Sequence, residues 1–218
     1  MIVIGVTGGL GTGKSTVAAM FKQLGAAAVL DADVIAHRVM EPKRLAWRQL
    51  VKTFGEKILN EDQTINRRSL AAIVFRDETA RKRLDAMVHP HVLRAIRQRL
   101  SQLRRSPRVQ AVILDVPLLI EAGAQQMVDA LVVVTAPQVV QRERLTRKYG
   151  WSDEETTARI GAQMELSAKA ALADHVVDNS GSVDATRTQV KRIWNQQVPH
   201  KGSRRLVSRT RRNSISRR

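Results

Sequence analysis

Nine consecutive residues, Gly8-Gly9-Leu10-Gly11-Thr12-Gly13-Lys14-Ser15-Thr16, carry the clearest chemistry in the chain. Residues 8–15 fit the spacing G-x-x-x-x-G-K-S/T of a phosphate-binding loop. Glycines let successive backbone N–H groups curl around an anion, and the N-terminus of a following helix points its partial positive charge at the same place. Lys14 then reaches the outer phosphates of a nucleoside triphosphate and the Ser15 hydroxyl ligates Mg2+, with Gly11, Thr12, Gly13 and Thr16 completing the nucleotide cradle. The flanks agree with this reading. An apolar β-branched run, Ile2-Val3-Ile4, comes before the loop, and a helical pattern over residues 14–24 follows it, with Gly25 as a C-cap.

Other groups with chemical potential lie further along. Asp31 and Asp33 end a short apolar run, and in extended chain a spacing of two points both carboxylates the same way. One of them is placed to accept a proton from an attacking hydroxyl while Lys14 and a metal stabilise a transferring phosphoryl group. Asp33 is also a candidate cap for a helix starting at residue 34, and the two roles are compatible. Asp115 follows Val112-Ile113-Leu114, the position of a carboxylate that holds Mg2+, directly or through water, or of a plain turn aspartate. Arg142, Arg144, Arg147 and Lys148 sit on one expected helix, where Arg144, Arg147 and Lys148 share a face. That face is either solvated or a phosphate-clamping lid. His89 precedes Pro90 and is open to a structural or a ligand-contacting role, whereas His37, four residues after Asp33, reads as structural.

Strands must carry these groups to one place. The expected strands cover residues 2–6, 26–30, 109–114, 131–135 and 175–178, alternating with helices. This pattern gives an α/β fold, a doubly wound parallel sheet of about five strands of the P-loop NTPase type. Ligands bind such sheets at the carboxyl ends of the strands, which gathers the loop, Asp31, Asp33, Asp115 and the turn at Asn179. Roughly sixty residues between the second and third strands are too many for a plain crossover. Residues 43–105 therefore read as an inserted helical lobe, with helices over about 45–54, 68–75 and 78–103 and a kink or break near His89 caused by Pro90. Residues 137–165 read as a helical lid. Pro137 stands in its first turn, and Ser152-Asp153-Glu154-Glu155 forms a capping box. Ser182 caps the last helix, over 183–196.

Composition narrows the class. The chain of 218 residues contains no Cys, which removes disulfides and thiolate metal sites. No apolar run approaches the roughly 20 residues of a membrane span, and the chain begins directly in a strand, so the expectation is a cytoplasmic enzyme with no membrane partner. The net charge of +17 raises nucleic acid as a partner. Eight of the Lys and Arg residues fall in 199–218, which holds no acid and reads as a disordered basic tail, so residues 1–198 remain basic on their own. With one Tyr, three Phe and three Trp there is little to stack on bases, which leaves non-specific contacts of the tail as the only nucleic-acid role.

Taken together, several segments resemble the dephospho-coenzyme A kinases. The segments are Thr7 to Thr16, Asp31-Ala32-Asp33, His89-Pro90, Pro117-Leu118-Leu119-Ile120-Glu121, Gln141-Arg142-Glu143-Arg144, Arg159-Ile160-Gly161-Ala162-Gln163 and Asp178-Asn179-Ser180-Gly181. They follow the family's order and spacing over residues 1–198. The resemblance implies ATP-dependent phosphorylation of the ribose 3′-hydroxyl of dephospho-coenzyme A, the last step of coenzyme A synthesis. It implies Asp33 as catalytic base, Arg144 as lid arginine on the transferred phosphate, Asn179 near the adenine of ATP, and His89 and Pro117 on the acceptor side. Leu10, Thr12 and Ile120 depart from the family's usual Ile, Ser and aromatic residue without removing a functional group. The competing reading is a P-loop kinase for a nucleoside, nucleotide or shikimate-like alcohol, which need not carry Asp31-Ala32-Asp33 or His89-Pro90.

Overall fold

The computed structural model describes residues 1–198. The expected basic tail at 199–218 lies outside the described residues. In chain order the elements are β1 (Ile2–Gly8), α1 (Lys14–Gln23), β2 (Ala28–Asp31), α2 (Ala32–Val39), α3 (Leu45–Phe54), α4 (Arg67–Arg76), α5 (Glu78–Arg104), β3 (Ala111–Asp115), β4 (Ala130–Thr135), α6 (Gln138–Tyr149), α7 (Asp153–Gly161), α8 (Leu166–Ala171), β5 (His175–Asp178) and α9 (Val183–Gln197). The five strands form one sheet in the order β2-β3-β1-β4-β5, and every pairing is parallel.

A parallel strand covered on both faces reads as a continuous apolar run, and β3 and β4 do. Alternate residues feed two separate clusters. Val3, Leu30, Val112, Leu114, Leu131 and Val133 face one side, where Leu50 of α3 and Val88, Val92, Ile96 and Leu100 of α5 cover them. Ile4, Val6, Ile113, Val132, Val134 and Val177 face the other side, under α1 and α9. Each fully buried Val, Leu or Ile contributes about 1.5–3 kcal/mol. Two clusters of this kind make the sheet a rigid frame for whatever stands at its carboxyl edge. No described helix is long and apolar enough to cross a membrane.

Three local outcomes differ from the sequence expectation. First, α2 starts at Ala32 and not at residue 34, because Asp31 caps it: Oδ1 accepts from Asp33 N at 2.8 Å and Val34 N at 3.1 Å. A carboxylate that satisfies orphan N–H groups begins the helix early. Asp31 and Asp33 therefore do not lie in extended chain with parallel side chains, and the capping residue is Asp31, not Asp33. Second, α5 runs unbroken through Pro90. Its buried stripe Val88, Val92, Ile96 and Leu100 recurs every four residues and holds both halves against the sheet, outweighing the one N–H that proline lacks. Third, α8 was not expected. Six residues are too few for a helical period to show.

Candidate functional site

The loop between β1 and α1 is shaped by glycine at two positions. Gly11 and Gly13 have φ of 73° and 87°, which a side chain rarely adopts. A Cβ on Gly11 would stand 2.6 Å from the Gln141 carbonyl oxygen, and one on Gly13 would run into the Asn179 amide. Thr12, fully buried, closes the loop on itself, its hydroxyl donating to Gly9 O at 2.8 Å.

The loop is also braced from outside. Arg144, on α6, donates through Nη1 to Gly11 O at 3.3 Å and Thr12 O at 3.2 Å, and through Nη2 to Asn179 O at 2.8 Å. Asn179 donates from Nδ2 to Thr12 O at 2.7 Å, and its Oδ1 accepts from the Thr186 hydroxyl at 2.9 Å. Arg144 and Asn179 hold loop carbonyls turned outward, while among the loop's N–H groups Leu10 N is held by Gln163 and Thr12 N by Gly9 O. The expected basic face thus divides: Arg144 is turned onto the loop, while Arg147 pairs with Glu143 at 2.5 Å in solvent.

Behind the loop, the register of the sheet sets Asp115 beside both Val6 and Asp31. Asp115 is 2% exposed and forms an ion pair with Lys14. Burial pushes its carboxyl above the usual aspartate range, the Lys14 ammonium opposes that push, and the carboxylates of Asp31 and Asp33 add to it.

Two cavities at this edge share Asp33 in their walls. One, of about 310 Å³, is lined by Gly8 to Gly11, Gly13 to Thr16, Arg144 and Lys148. The second, of about 430 Å³, is mostly apolar, with Met40, Val88, Val92, Leu93 and Met127 in its wall beside His89. Four residues line both: Leu10, Asp33, Pro117 and Gln163. Asp33 is exposed in the first turn of α2, so its carboxylate stands where the two spaces meet.

Residues 2–185 match the model of the dephospho-CoA kinase family. A dephospho-CoA kinase of Symbiobacterium thermophilum is 44% identical over 194 residues, spanning 89% of this chain and 80% of its own. The chain belongs to the dephospho-CoA kinase family. Solved structures agree. The crystal structure of TT1252 from Thermus thermophilus matches at a TM-score of 0.77 with 36% identity, covering 91% of this chain and 98% of its own. The dephospho-CoA kinase from Campylobacter jejuni matches at 0.65 with 26% identity, covering 88% and 94%. The fold is that of a P-loop kinase, and the chain is a kinase.

Of the residues singled out from the sequence as part of the site, Lys14, Ser15, Thr16, Asp33, His89, Pro117, Arg144 and the loop glycines line one cavity or both; Thr12 is buried within the loop, Asp115 and Asn179 lie directly behind it, and Asp31, the other candidate base, lines neither cavity and caps α2. His89 faces the apolar cavity and lies 3.5 Å from Asp85 on its own helix. His37 stays outside both cavities, in contact with Arg67. Burial, then the Arg67 charge, lowers its pKa, which fits a structural contact between α2 and α4. Two glutamines with no assigned role prove central to this kinase site. Gln141, buried, donates to Ala136 O at 2.8 Å and packs against Gly11, while Gln163 Oε1 accepts from Leu10 N at 3.2 Å. Both stand in segments that carry the family resemblance, but an uncharged amide gives no role by its spacing, so only the fold shows their contacts with the loop.

Proposed function

We propose that the chain transfers the γ-phosphate of ATP to the ribose 3′-hydroxyl of dephospho-coenzyme A, with Asp33 as general base. The observation that carries this reading is the position of Asp33 on the shared wall of a cavity lined by the glycine-rich loop and an apolar one. An acceptor whose sugar hydroxyl projects from the apolar side meets the donor phosphate there. In the step, the hydroxyl oxygen forms a bond to the γ-phosphorus and its proton passes to an Asp33 carboxylate oxygen. The bond from the γ-phosphorus to the bridging oxygen breaks, and ADP leaves with that electron pair.

The loop N–H groups and the N-terminus of α1 hold the triphosphate. Lys14 exchanges the Asp115 carboxylate for phosphate oxygens and stabilises the charge on the transferring group. Residues 43–105 serve as the acceptor lobe, with His89 and Pro117 against the acceptor, and residues 137–165 serve as the lid. The donor set fits Mg2+: Asp115 offers a buried carboxylate and Ser15 an exposed hydroxyl, both hard oxygens. Among the described residues no group of three or more His, Cys, Asp or Glu converges, so Asp115 and Ser15 would hold the ion together with oxygens that the protein does not supply. Bound there with ATP, the ion would neutralise charge developing on the phosphates. We assign the reaction to the cytoplasm.

Arg144 supports the reaction chiefly by fixing the loop. Each charge-assisted bond it makes is worth about 1.5–3 kcal/mol when its partner is buried. Arg144→Ala is therefore expected to raise KM for ATP and lower kcat together, with kcat/KM down roughly tenfold to a hundredfold. An unchanged KM for ATP would return Arg144 to a role on the transferred phosphate alone. The reaction itself is tested by following ATP consumption with dephospho-coenzyme A, adenosine or shikimate as acceptor. Consumption with only the first is expected, and equal consumption with the others would overturn the assignment.

A further inference from the structure

Lys169, in the middle of the short helix α8, is completely buried. A lysine is almost never fully buried unless it is paired and hydrogen-bonded. Its Nζ lies 2.7 Å from Glu121 Oε1 and 3.4 Å from the Pro117 carbonyl oxygen. That carbonyl also accepts from the Thr7 hydroxyl at 3.0 Å, one residue before the phosphate loop. Glu121 Oε1 accepts in addition from Met164 N at 3.4 Å, and the neighbouring Gln163 side chain accepts from Leu10 N at 3.2 Å. The connections close a ring: Thr7, along the chain to Leu10, across to Gln163 and Met164, then Glu121, Lys169, Pro117 and back to Thr7. Nothing in the transfer step touches Lys169.

The ring joins three parts that the reaction needs in register. Thr7 and Leu10 frame the start of the phosphate loop. Pro117 is in the wall shared by both cavities, beside Asp33. Gln163 and Met164 follow α7, where the lid returns to the body of the protein. The Lys169–Glu121 contact, at 2.7 Å, is the short member and is buried on its lysine side, whereas the bonds from Lys169 to Pro117 and at Leu10 and Met164 run from 3.2 to 3.4 Å. Glu121 thus holds the ammonium firmly, and Thr7 and Lys169 hold the Pro117 carbonyl from two sides.

We propose that Lys169, held by Glu121, is a positioning residue for transfer. It fixes the Pro117 carbonyl, and with it the wall that sets the acceptor against Asp33, and it anchors the root of the lid. The inference rests on the acceptor assignment above and adds a residue outside the substrate cavities to it. The phosphate loop has its own brace in Arg144, Asn179 and Gln141, so losing Lys169 acts on the acceptor side and leaves the ATP side alone.

The test uses the pair variant Lys169→Met with Glu121→Gln. Removing both charges leaves no unpaired buried ion, which is the outcome that destabilises when one partner alone is cut. The amide oxygen that Glu121→Gln introduces can still accept from Met164 N, so the loss is confined to the hold on Pro117. Expected are a melting temperature close to wild type, an ATP Kd unchanged within about twofold, a KM for dephospho-coenzyme A raised roughly tenfold and a kcat lowered roughly tenfold, the scale of small misplacements of a reacting group. Wild-type kcat and acceptor KM in the folded pair variant would make the ion pair merely structural and overturn the proposal. Should the pair variant fail to fold, Thr7→Val removes the other donor to the same carbonyl without changing charge or shape. It must then show the same rise in acceptor KM with ATP Kd unchanged, and wild-type kinetics there overturn the proposal equally. Wild-type protein is assayed beside both: no turnover of dephospho-coenzyme A by wild type sinks the acceptor assignment, whereas turnover by wild type and variants alike sinks only the role of Lys169.

Discussion

Asp33→Asn is expected to lower turnover on dephospho-coenzyme A by roughly 10²–10⁴-fold, the scale of losing a general base, with ATP Kd within about twofold of wild type. The substitution is informative because so little structure depends on this side chain. The bond that orders the start of α2 runs from the Asp33 backbone N–H to Asp31 Oδ1, and Asn keeps that N–H. Among the described residues the Asp33 carboxylate accepts no hydrogen bond. A change in melting temperature is therefore not expected, and a large fall in kcat reports the chemistry itself. Asp31→Ala supplies the contrast. It removes the cap of α2, costing about 1 kcal/mol of stability, without removing the base. Steady-state rates and ATP titration on both variants decide the matter. Retained turnover in Asp33→Asn would remove Asp33 from the mechanism, and a loss in Asp31→Ala as large as in Asp33→Asn would move the base to residue 31.

How much of this site could be read from the sequence depended on how local the cause was. The loop at residues 8–16 was legible because binding a phosphate with backbone N–H groups needs glycines at fixed, contiguous places. The runs at residues 111–115 and 130–135 were legible because strands buried on both faces are apolar throughout. The relation of Asp31 to Asp33 was not, since a spacing of two aligns side chains only in extended chain, and the Asp31 side chain starts the helix one residue later. Pro90 promised a break that the packing of Val92, Ile96 and Leu100 overrides. Arg144 showed as one charge in a basic cluster. Its partners at Gly11, Thr12 and Asn179 come from segments up to 133 residues away, which no helix-face argument reaches. Lys169 gave no signal, standing alone among small residues in a helix of six.

Lys14→Ala is expected to lower turnover by roughly 10²–10³-fold, as when one preorganised donor to a developing charge is removed, and to weaken ATP binding as well. Unlike Asp33, Lys14 also has a structural partner, so its loss has a second, pH-dependent consequence. With the ammonium gone, burial and the neighbouring Asp31 and Asp33 carboxylates act on the Asp115 carboxyl unopposed and raise its pKa further above the ordinary value of 3.8. A group with a raised folded-state pKa binds more protons folded than unfolded, so stability falls as pH rises between the unfolded and folded values. Well below 3.8 the Asp115 carboxyl is protonated in both states and the variant loses little on this account. Toward neutral pH the loss grows to a ceiling of about 3–5 kcal/mol for an unpaired buried charge, reduced by whatever protonation relieves. Melting temperatures of wild type and Lys14→Ala, taken from about pH 4 to about pH 8, should therefore diverge as pH rises. Adding Asp115→Asn should close that gap, because a neutral amide has no charge to strand, while turnover stays low for want of the cation. A gap that is flat with pH would mean that Asp115 does not depend on Lys14 for its charge. Recovery of turnover in the double variant would mean that Lys14 serves Asp115 and not the phosphate.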